Sequence, residues 1–424
     1  MKRIVLGILA LVLLVSLAGC GEAISIGMAQ SEKERVTSPD VADSDLSDLV
    51  AGNSAFAFDL YQAISEKEGN LFYSPYSISL ALAMTYAGAR GDTEQQMADT
   101  LHFILSQDRL HPAFNALDLE LASRGEGAEG KDEKGFRLNI VNETWGQEDY
   151  KFMDQFLDVL AENYGAGMRL LDFINAPEES RITINDWVSD QTEGKIEDLI
   201  PSGVIDAMTR LVLTNAIYFN AAWLHPFSEE VTDGGTFHLL NDSEITVPMM
   251  MQTESFGYAE GEGYKAVELL YDGSELSMVI LLPETGLFRD FEESINADVL
   301  EKIINDLQYR QVALSMPKFE FESDYSLVNY LSEMGMPIAF SGAADFSGMT
   351  GNRDLFIGEI IHKAFVSVDE AGTEAAAATA VVMKLTATPE EPVEVKIDSP
   401  FVFMIRDIET GSILFIGRVM NPSA

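Results

Sequence analysis

The sequence predicts an α+β fold. Helix-type apolar spacing concentrates early in the chain, strand-type runs concentrate late, and the two do not alternate as they would in a βαβ fold. Among 424 residues, 47% are hydrophobic and 9% aromatic, enough apolar surface to outweigh chain entropy. Length alone would accommodate two or three domains. No second linker and no internal repeat follow residue 46, so residues 46–424 read as a single domain.

Ahead of that domain lie a targeting segment and a tether. Lys2 and Arg3 precede an almost unbroken apolar run over residues 4–17. The run falls short of the roughly 20 residues needed to span a bilayer, so residues 1–19 read as a secretory signal. Leu17-Ala-Gly-Cys20 resembles the lipobox of prokaryotic lipoproteins, which implies that Cys20 becomes the lipidated first residue of the mature chain. An ordinary signal peptide with an incidental cysteine is the other reading. Loss of residues 1–19 removes two positive charges and no negative ones, taking the formal charge from −42 to −44. Residues 20–45 are polar, without apolar periodicity, and read as a flexible tether. The expected location is extracytoplasmic, either membrane-anchored or secreted.

Within the domain, residues 51–65 carry apolar side chains at helical spacing and end at the breaker Glu68-Gly69-Asn70. Residues 78–87 form a second helical run after Ser74-Pro75, with Ser77 as the expected N-cap. Residues 152–164 are amphipathic and stop at Gly165, where glycine suits a left-handed C-cap. Strand-forming runs follow at residues 210–219, 276–282 and 311–316. Residues 400–406 and 412–417 flank a turn at Glu409-Thr-Gly411 and read as a hairpin.

Composition excludes several functions. With 27 Lys and Arg against 69 Asp and Glu, the chain lacks the basic stripe that a phosphate-gripping protein needs, so no nucleic-acid partner is expected. Self-repulsion at this charge favours a soluble monomer. A single cysteine excludes an intrachain disulfide and a cysteine-based zinc site. There is no His-Glu-x-x-His, no Gly-x-Ser-x-Gly and no phosphate loop ending in Gly-Lys-Ser/Thr. Gly125-Glu-Gly-Ala-Glu-Gly130 and Gly261-Glu-Gly-Tyr-Lys-Ala266 have dinucleotide-fingerprint spacing, but each sets a Glu where a pyrophosphate would approach. The five histidines show no paired ligand spacing. No cofactor, no metal and no enzymatic activity are expected.

The informative stretch is residues 368–392. It opens with Glu370 and Gly372, runs through small residues, becomes β-prone and ends at Pro389-Glu-Glu-Pro392. Composition alone also allows an alanine-rich surface helix followed by a loop. Read with period two, Thr373, Ala375, Ala377, Thr379, Val381 and Met383 carry no charge. The other set, Glu374, Ala376, Ala378, Ala380, Val382 and Lys384, holds both charges. Such segregation suits a strand with one buried and one wet face. A segment that tolerates both an exposed loop and a central strand is what a conformational switch needs.

Here the chain resembles the serpin family of serine-protease inhibitors, over residues 46–422. Asn70-Leu-Phe-Tyr-Ser-Pro-Tyr-Ser-Ile-Ser79 and Leu213-Thr-Asn-Ala-Ile-Tyr-Phe-Asn-Ala-Ala-Trp-Leu-His-Pro-Phe227 are similar to two of its signatures. Met316-Pro-Lys-Phe319, Ala344-Asp-Phe-Ser-Gly348, His362-Lys363, Pro400-Phe401 and Gly417-Arg-Val-Met-Asn-Pro422 fall in its order and spacing. The resemblance implies three β-sheets, about nine helices and an exposed reactive loop over residues 372–392. It also implies inhibition as a suicide substrate. A target serine protease attacks one bond of the loop, forms an acyl-enzyme through its own nucleophile, and is held covalently as the loop inserts into the central sheet.

Site residues follow from the same resemblance. Glu370, Gly372, Thr373, Glu374, Ala375, Ala376, Ala377 and Ala378 match the hinge of inhibitory members. Counting from the hinge places the bait bond at Thr386-Ala387, suited to an elastase-like or subtilisin-like protease. Leu385 would instead invite a chymotrypsin-like enzyme, and Lys384 a trypsin-like one. Trp223, Lys318 and Glu370 match the point where the loop enters the sheet, with Lys318 and Glu370 expected to pair. Ser74, Ser77, Asn215 and His362 match the polar cluster that controls strand parting. The rival reading is a non-inhibitory, lipid-anchored binding protein on the same fold. Its mark would be charged, proline-containing or bulky hinge residues, and residues 373–380 show none except Glu374.

Overall fold

The computed structural model describes residues 26–125, 137–373 and 391–424. In chain order its elements begin with β1 (Gly27–Ala29), α1 (Asp43–Ser65), β2 (Leu71–Tyr73), α2 (Pro75–Tyr86), α3 (Gly91–Thr100) and α4 (Gln107–Ala122). Then come β3 (Arg137–Gln147), α5 (Asp154–Tyr164), β4 (Met168–Leu171), α6 (Pro177–Gln191) and β5 (Leu211–Ala222). The middle holds β6 (Asp233–His238), β7 (Glu244–Gly261), β8 (Tyr264–Leu270), β9 (Leu276–Pro283), α7 (Phe288–Ser294) and α8 (Ala297–Asp306). Next are β10 (Gln308–Pro317), β11 (Phe319–Ser326), α9 (Val328–Met334), α10 (Ser347–Thr350), β12 (Glu359–Val368) and β13 (Gly372–Thr373). The chain closes with β14 (Val393–Lys396), β15 (Phe401–Asp407) and β16 (Ile413–Val419).

Local chemistry sets the helix limits. Ser74 is extended (φ −109°, ψ 102°), its Oγ accepts a hydrogen bond from the Ser77 amide, and Pro75 occupies the first helical turn of α2. The N-cap is therefore Ser74 and not Ser77. Proline's fixed φ starts the helix there, which leaves the Ser77 hydroxyl free for the sheet above. Helix α1 begins at Asp43, eight residues before the apolar spacing becomes visible, because Asp43 and Asp45 favour its first turn. Asp45 also pairs with Arg109 of α4. Helix α5 ends at Gly165, whose φ of 62° is the left-handed conformation that glycine adopts without a Cβ penalty.

The three expected sheets form two hydrogen-bonded networks, because β7 links two of them. A seven-stranded sheet has the order β1-β4-β3-β5-β13-β12-β11. The other eight-strand path, β14-β10-β7-β8-β9-β15-β16-β2, carries β6 on β7. Strand β7 runs through both remaining sheets: its first part pairs with β6 and β10, and Gly257–Gly261 pairs with β8. The second dinucleotide-like string is the β7–β8 turn, with Gly263 at φ 80°. Buried α2 lies between the sheets, and Phe72 stacks on Phe415 at 4.9 Å and on Phe403 at 5.7 Å. Fully buried Arg418 is held by Glu292 at 2.6 Å, which also accepts from the Tyr61 hydroxyl. Ten α-helices occur among the described residues, against about nine expected.

The segment expected as a free tether is bound to the domain from Ile26 onward. Strand β1 pairs antiparallel with β4, Gly27 opposite Leu170. Lys33 bridges Asp158 and Glu162, the Arg35 guanidinium binds Asn115 and Asp118, and the Val36 amide donates to the Glu162 carbonyl. A polar composition hid this docking because the anchors are ion pairs with helices α4 and α5, not a local apolar period. Residues 20–25, with Cys20, lie outside the described residues, as does the signal segment.

Candidate functional site

Strands β5 and β12 run parallel and pair directly from Val212 opposite Glu359 to Tyr218 opposite Phe365. Beyond that point they part. Gly372 and Thr373, turning back from β12, fill the gap, Gly372 opposite Ala222 and Thr373 opposite Ala221, with Thr373 also facing Val368. Only glycine fits at 372. A Cβ there would lie 2.1 Å from the Ala221 carbonyl oxygen and 2.7 Å from the Ala222 Cα.

A set of bonds holds this open end. The Trp223 indole donates to the Asp369 carbonyl at 3.0 Å, and the Trp223 and Phe227 amides donate to the carbonyls of Ala371 and Glu370. Lys318 Nζ meets Glu370 Oε2 at 2.6 Å, and the Thr232 hydroxyl donates to Glu370 Oε1 at 2.7 Å. Burial opposes the charge on Glu370, but the Lys318 and Thr232 hydrogen bonds outweigh it and hold the carboxyl below its usual range. Trp223 stacks on Tyr271 at 4.7 Å, and the Tyr271 hydroxyl lies 2.8 Å from the Thr373 hydroxyl. The sequence-read trio Trp223, Lys318 and Glu370 is thus one cluster. Thr232 and Tyr271 complete it and carry no signal at the sequence level, since each is a lone polar residue outside any motif.

A second cluster bolts the closed part of the seam. His362 and Asn215 are register partners across it. The Ser74 amide donates to His362 Nε2 at 3.2 Å, so the ring proton sits on Nδ1 and is donated to Asn215 Oδ1. The Asn215 amide in turn donates to the Ser77 hydroxyl and to Asn142 Oδ1. All four sequence-read residues converge, and Asn142, the register partner of Asn215 on β3, joins them. Separation of β5 from β12 along its whole length must break the His362–Asn215 bond.

Burial pushes His362 down to about 3, and burial with the nearby Arg90 charge pushes His111 down to about 4. An unfolded histidine titrates near 6.5. Between about pH 6.5 and 4 the unfolded chain therefore binds more protons, and stability falls as pH falls, by about 1.4 kcal/mol per pH unit for each group. Urea midpoints measured from pH 7 to pH 5.5 should drop less steeply in His362→Gln than in the natural chain. Equal slopes would count against a neutral, buried His362.

Of the remaining sequence-read positions, Glu374, Ala375, Ala376, Ala377, Ala378, Lys384, Leu385, Thr386 and Ala387 lie outside the described residues. Among the described residues, no group of three or more His, Cys, Asp or Glu side chains is placed to hold a metal ion.

The family model for serpins, serine protease inhibitors, matches residues 51–422. The chain belongs to the serpin family. An uncharacterised serpin-like protein of Thermococcus kodakarensis is 42% identical over 376 residues, 88% of this chain and 86% of that protein. Human leukocyte elastase inhibitor is 42% identical over 388 residues, 88% of this chain and 99% of that protein. Among solved structures, the thermophilic serpin tengpin in its native state superposes with a TM-score of 0.82 at 27% identity, covering 94% of this chain and all of tengpin. The fold is the serpin fold. Membership of this family, with inhibitors among its near relatives, supports protease inhibition and not catalysis, with proteases as partners.

Proposed function

We propose that this serpin inhibits serine proteases as a suicide substrate, by acyl-enzyme trapping and insertion of its reactive loop between β5 and β12. The observation that carries the reading is the start of such a strand already in the sheet, at Gly372 and Thr373. Each further step along the loop would meet a step back along β5, so Met383 would face Leu211 and the twelve residues of β5 would all be paired. Ten loop positions, 374–383, would be newly paired, which at roughly 3.3 Å per residue is about 33 Å of new strand. The bait bond Thr386-Ala387 would then sit just past the end of the sheet. Its small residues, and a human relative named for leukocyte elastase, support an elastase-like or subtilisin-like target. We assign the lipobox cysteine, Cys20, as a membrane anchor outside the cytoplasm. No helix among the described residues is long and apolar enough to cross a membrane.

Incubation with a panel of serine proteases should give an adduct stable in SDS, with the loop cut after Thr386. Cleavage after Lys384 alone would move the bait bond to a trypsin-like target, and absence of any adduct would favour a non-inhibitory binding protein. A Cys20→Ser chain should move from the membrane fraction to the soluble fraction.

A further inference from the structure

We propose that the protein captures its protease at the pole facing away from the membrane and delivers it to the pole held at the membrane. The inference rests on the loop insertion and Cys20 anchoring read above, and adds a direction to them.

Strand registers set that direction. Gly27 on β1 faces Leu170, Leu170 faces Gly146 on β3, and Gly146 faces Leu211 on β5. These four residues form one row at one end of the seven-stranded sheet. The hinge lies at Ala221 and Ala222, eleven residues further along β5 from Leu211, or about 36 Å. The N-terminal segment therefore joins the sheet at the end opposite the hinge. Continued in register, the inserted loop would bring Met383 to Leu211, in the same row as Gly27. The order β1-β4-β3-β5-β13 puts four strand spacings between them, about 19 Å.

Docking of the N-terminal segment turns this geometry into an orientation. A tether free from residue 20 to residue 45 could reach about 85 Å and would leave the domain unoriented. Ile26 instead packs against a core cluster that includes Trp145 and Leu171, and the next ten residues are held by β1 and by the ion pairs of Lys33 and Arg35. Five residues, 21–25, lie between Cys20 and Ile26, and the six Cα-to-Cα steps reach at most about 21 Å. The row that holds Gly27 is thus kept close to the lipid, and the hinge end projects into solvent. A captured protease, with a diameter of about 40 Å for a compact chain of some 220 residues, would travel from the solvent end to the membrane end.

The test uses the full chain, lipidated in a bacterial host and reconstituted in phosphatidylcholine vesicles that carry an energy-acceptor headgroup. With Cys20 consumed by its lipid, a donor dye is attached at Asn175→Cys beside the end of β4, or at Glu229→Cys beside the hinge. Transfer to the lipid should be several-fold stronger from 175 than from 229. In a second arm, donor-labelled elastase is trapped by the natural chain and by one with about 20 Gly/Ser residues inserted between Ala23 and Ile24. Trapped elastase should transfer strongly to lipid on the natural chain and weakly on the lengthened one. Equal transfer from the two dye positions, or equal transfer on the two leashes, overturns the proposal while an adduct still forms. Absence of an adduct in detergent, or recovery of the chain unlipidated, overturns the underlying reading and this proposal with it.

Discussion

Replacement of Thr373 by Arg is expected to convert the inhibitor into a substrate. Thr373 is 1% exposed, lies between Ala221 and Val368, and has its hydroxyl against that of Tyr271. A guanidinium in this slot would be buried without a carboxylate partner, at a cost of several kcal/mol. Insertion competes with hydrolysis of the acyl-enzyme, and each 1.4 kcal/mol added to the insertion barrier shifts that competition about tenfold. The number of inhibitor molecules consumed per protease trapped should therefore rise by about tenfold or more. Circular dichroism of the uncut variant should stay native, because Gly372 and Thr373 pair only at the end of the sheet and can withdraw from it while direct β5–β12 pairing keeps the body closed, so that the cost falls on insertion. Thr373→Ser keeps the hydroxyl and should keep inhibition. An Arg variant that still forms its adduct one-for-one would contradict the role given to this slot.

Glu370→Lys is expected to loosen the mouth of the sheet and drive polymerisation on heating. The Glu370 side chain is 8% exposed and ties Lys318 and Thr232 together. Reversal of its charge sets two ammonium groups against each other. Removal of one partner from a buried ion pair costs about 3–5 kcal/mol, and the 37% exposure of Lys318 reduces this through solvent screening to about 2 kcal/mol. Once the hinge is released, the parted ends of β5 and β12 present unpaired strand edges that can accept another molecule's loop. Size-exclusion profiles after mild heating should show oligomers for Glu370→Lys. The paired reversal with Lys318→Glu should restore most of the monomer. A variant that stays monomeric and melts like the natural chain would count against the clamp.

The parts of this protein legible in its sequence are those written in local chemistry. The stop of α5 at Gly165, the β15–β16 hairpin and the period-two segregation after Thr373 each follow from backbone sterics or pleat geometry. The two polar clusters became legible through family resemblance, since no spacing rule links Ser74 to His362 across 288 residues. Their completion by Asn142, Thr232 and Tyr271 was not legible, because each joins through strand register or tertiary packing alone. In sequence the cap of α2 reads as Ser77 and not Ser74, because both serines suit a cap and only the backbone at Pro75 decides between them. The docking of the N-terminal segment is not legible for a further reason: its anchors are charges that meet α4 and α5 only after folding.

In the proposed mechanism the uncut chain stores energy in a loop that would be more stable as a strand. About ten further inserted residues, at roughly 1 kcal/mol each net, would be worth on the order of 10 kcal/mol. A domain of this size loses stability at about 0.8 kcal/mol per degree near its melting point, so the cut chain should gain about 10 °C or more. Calorimetry of intact protein and of protein nicked once between residues 384 and 387 tests this directly: the account predicts a large upward shift on cutting, and identical melting temperatures would contradict it.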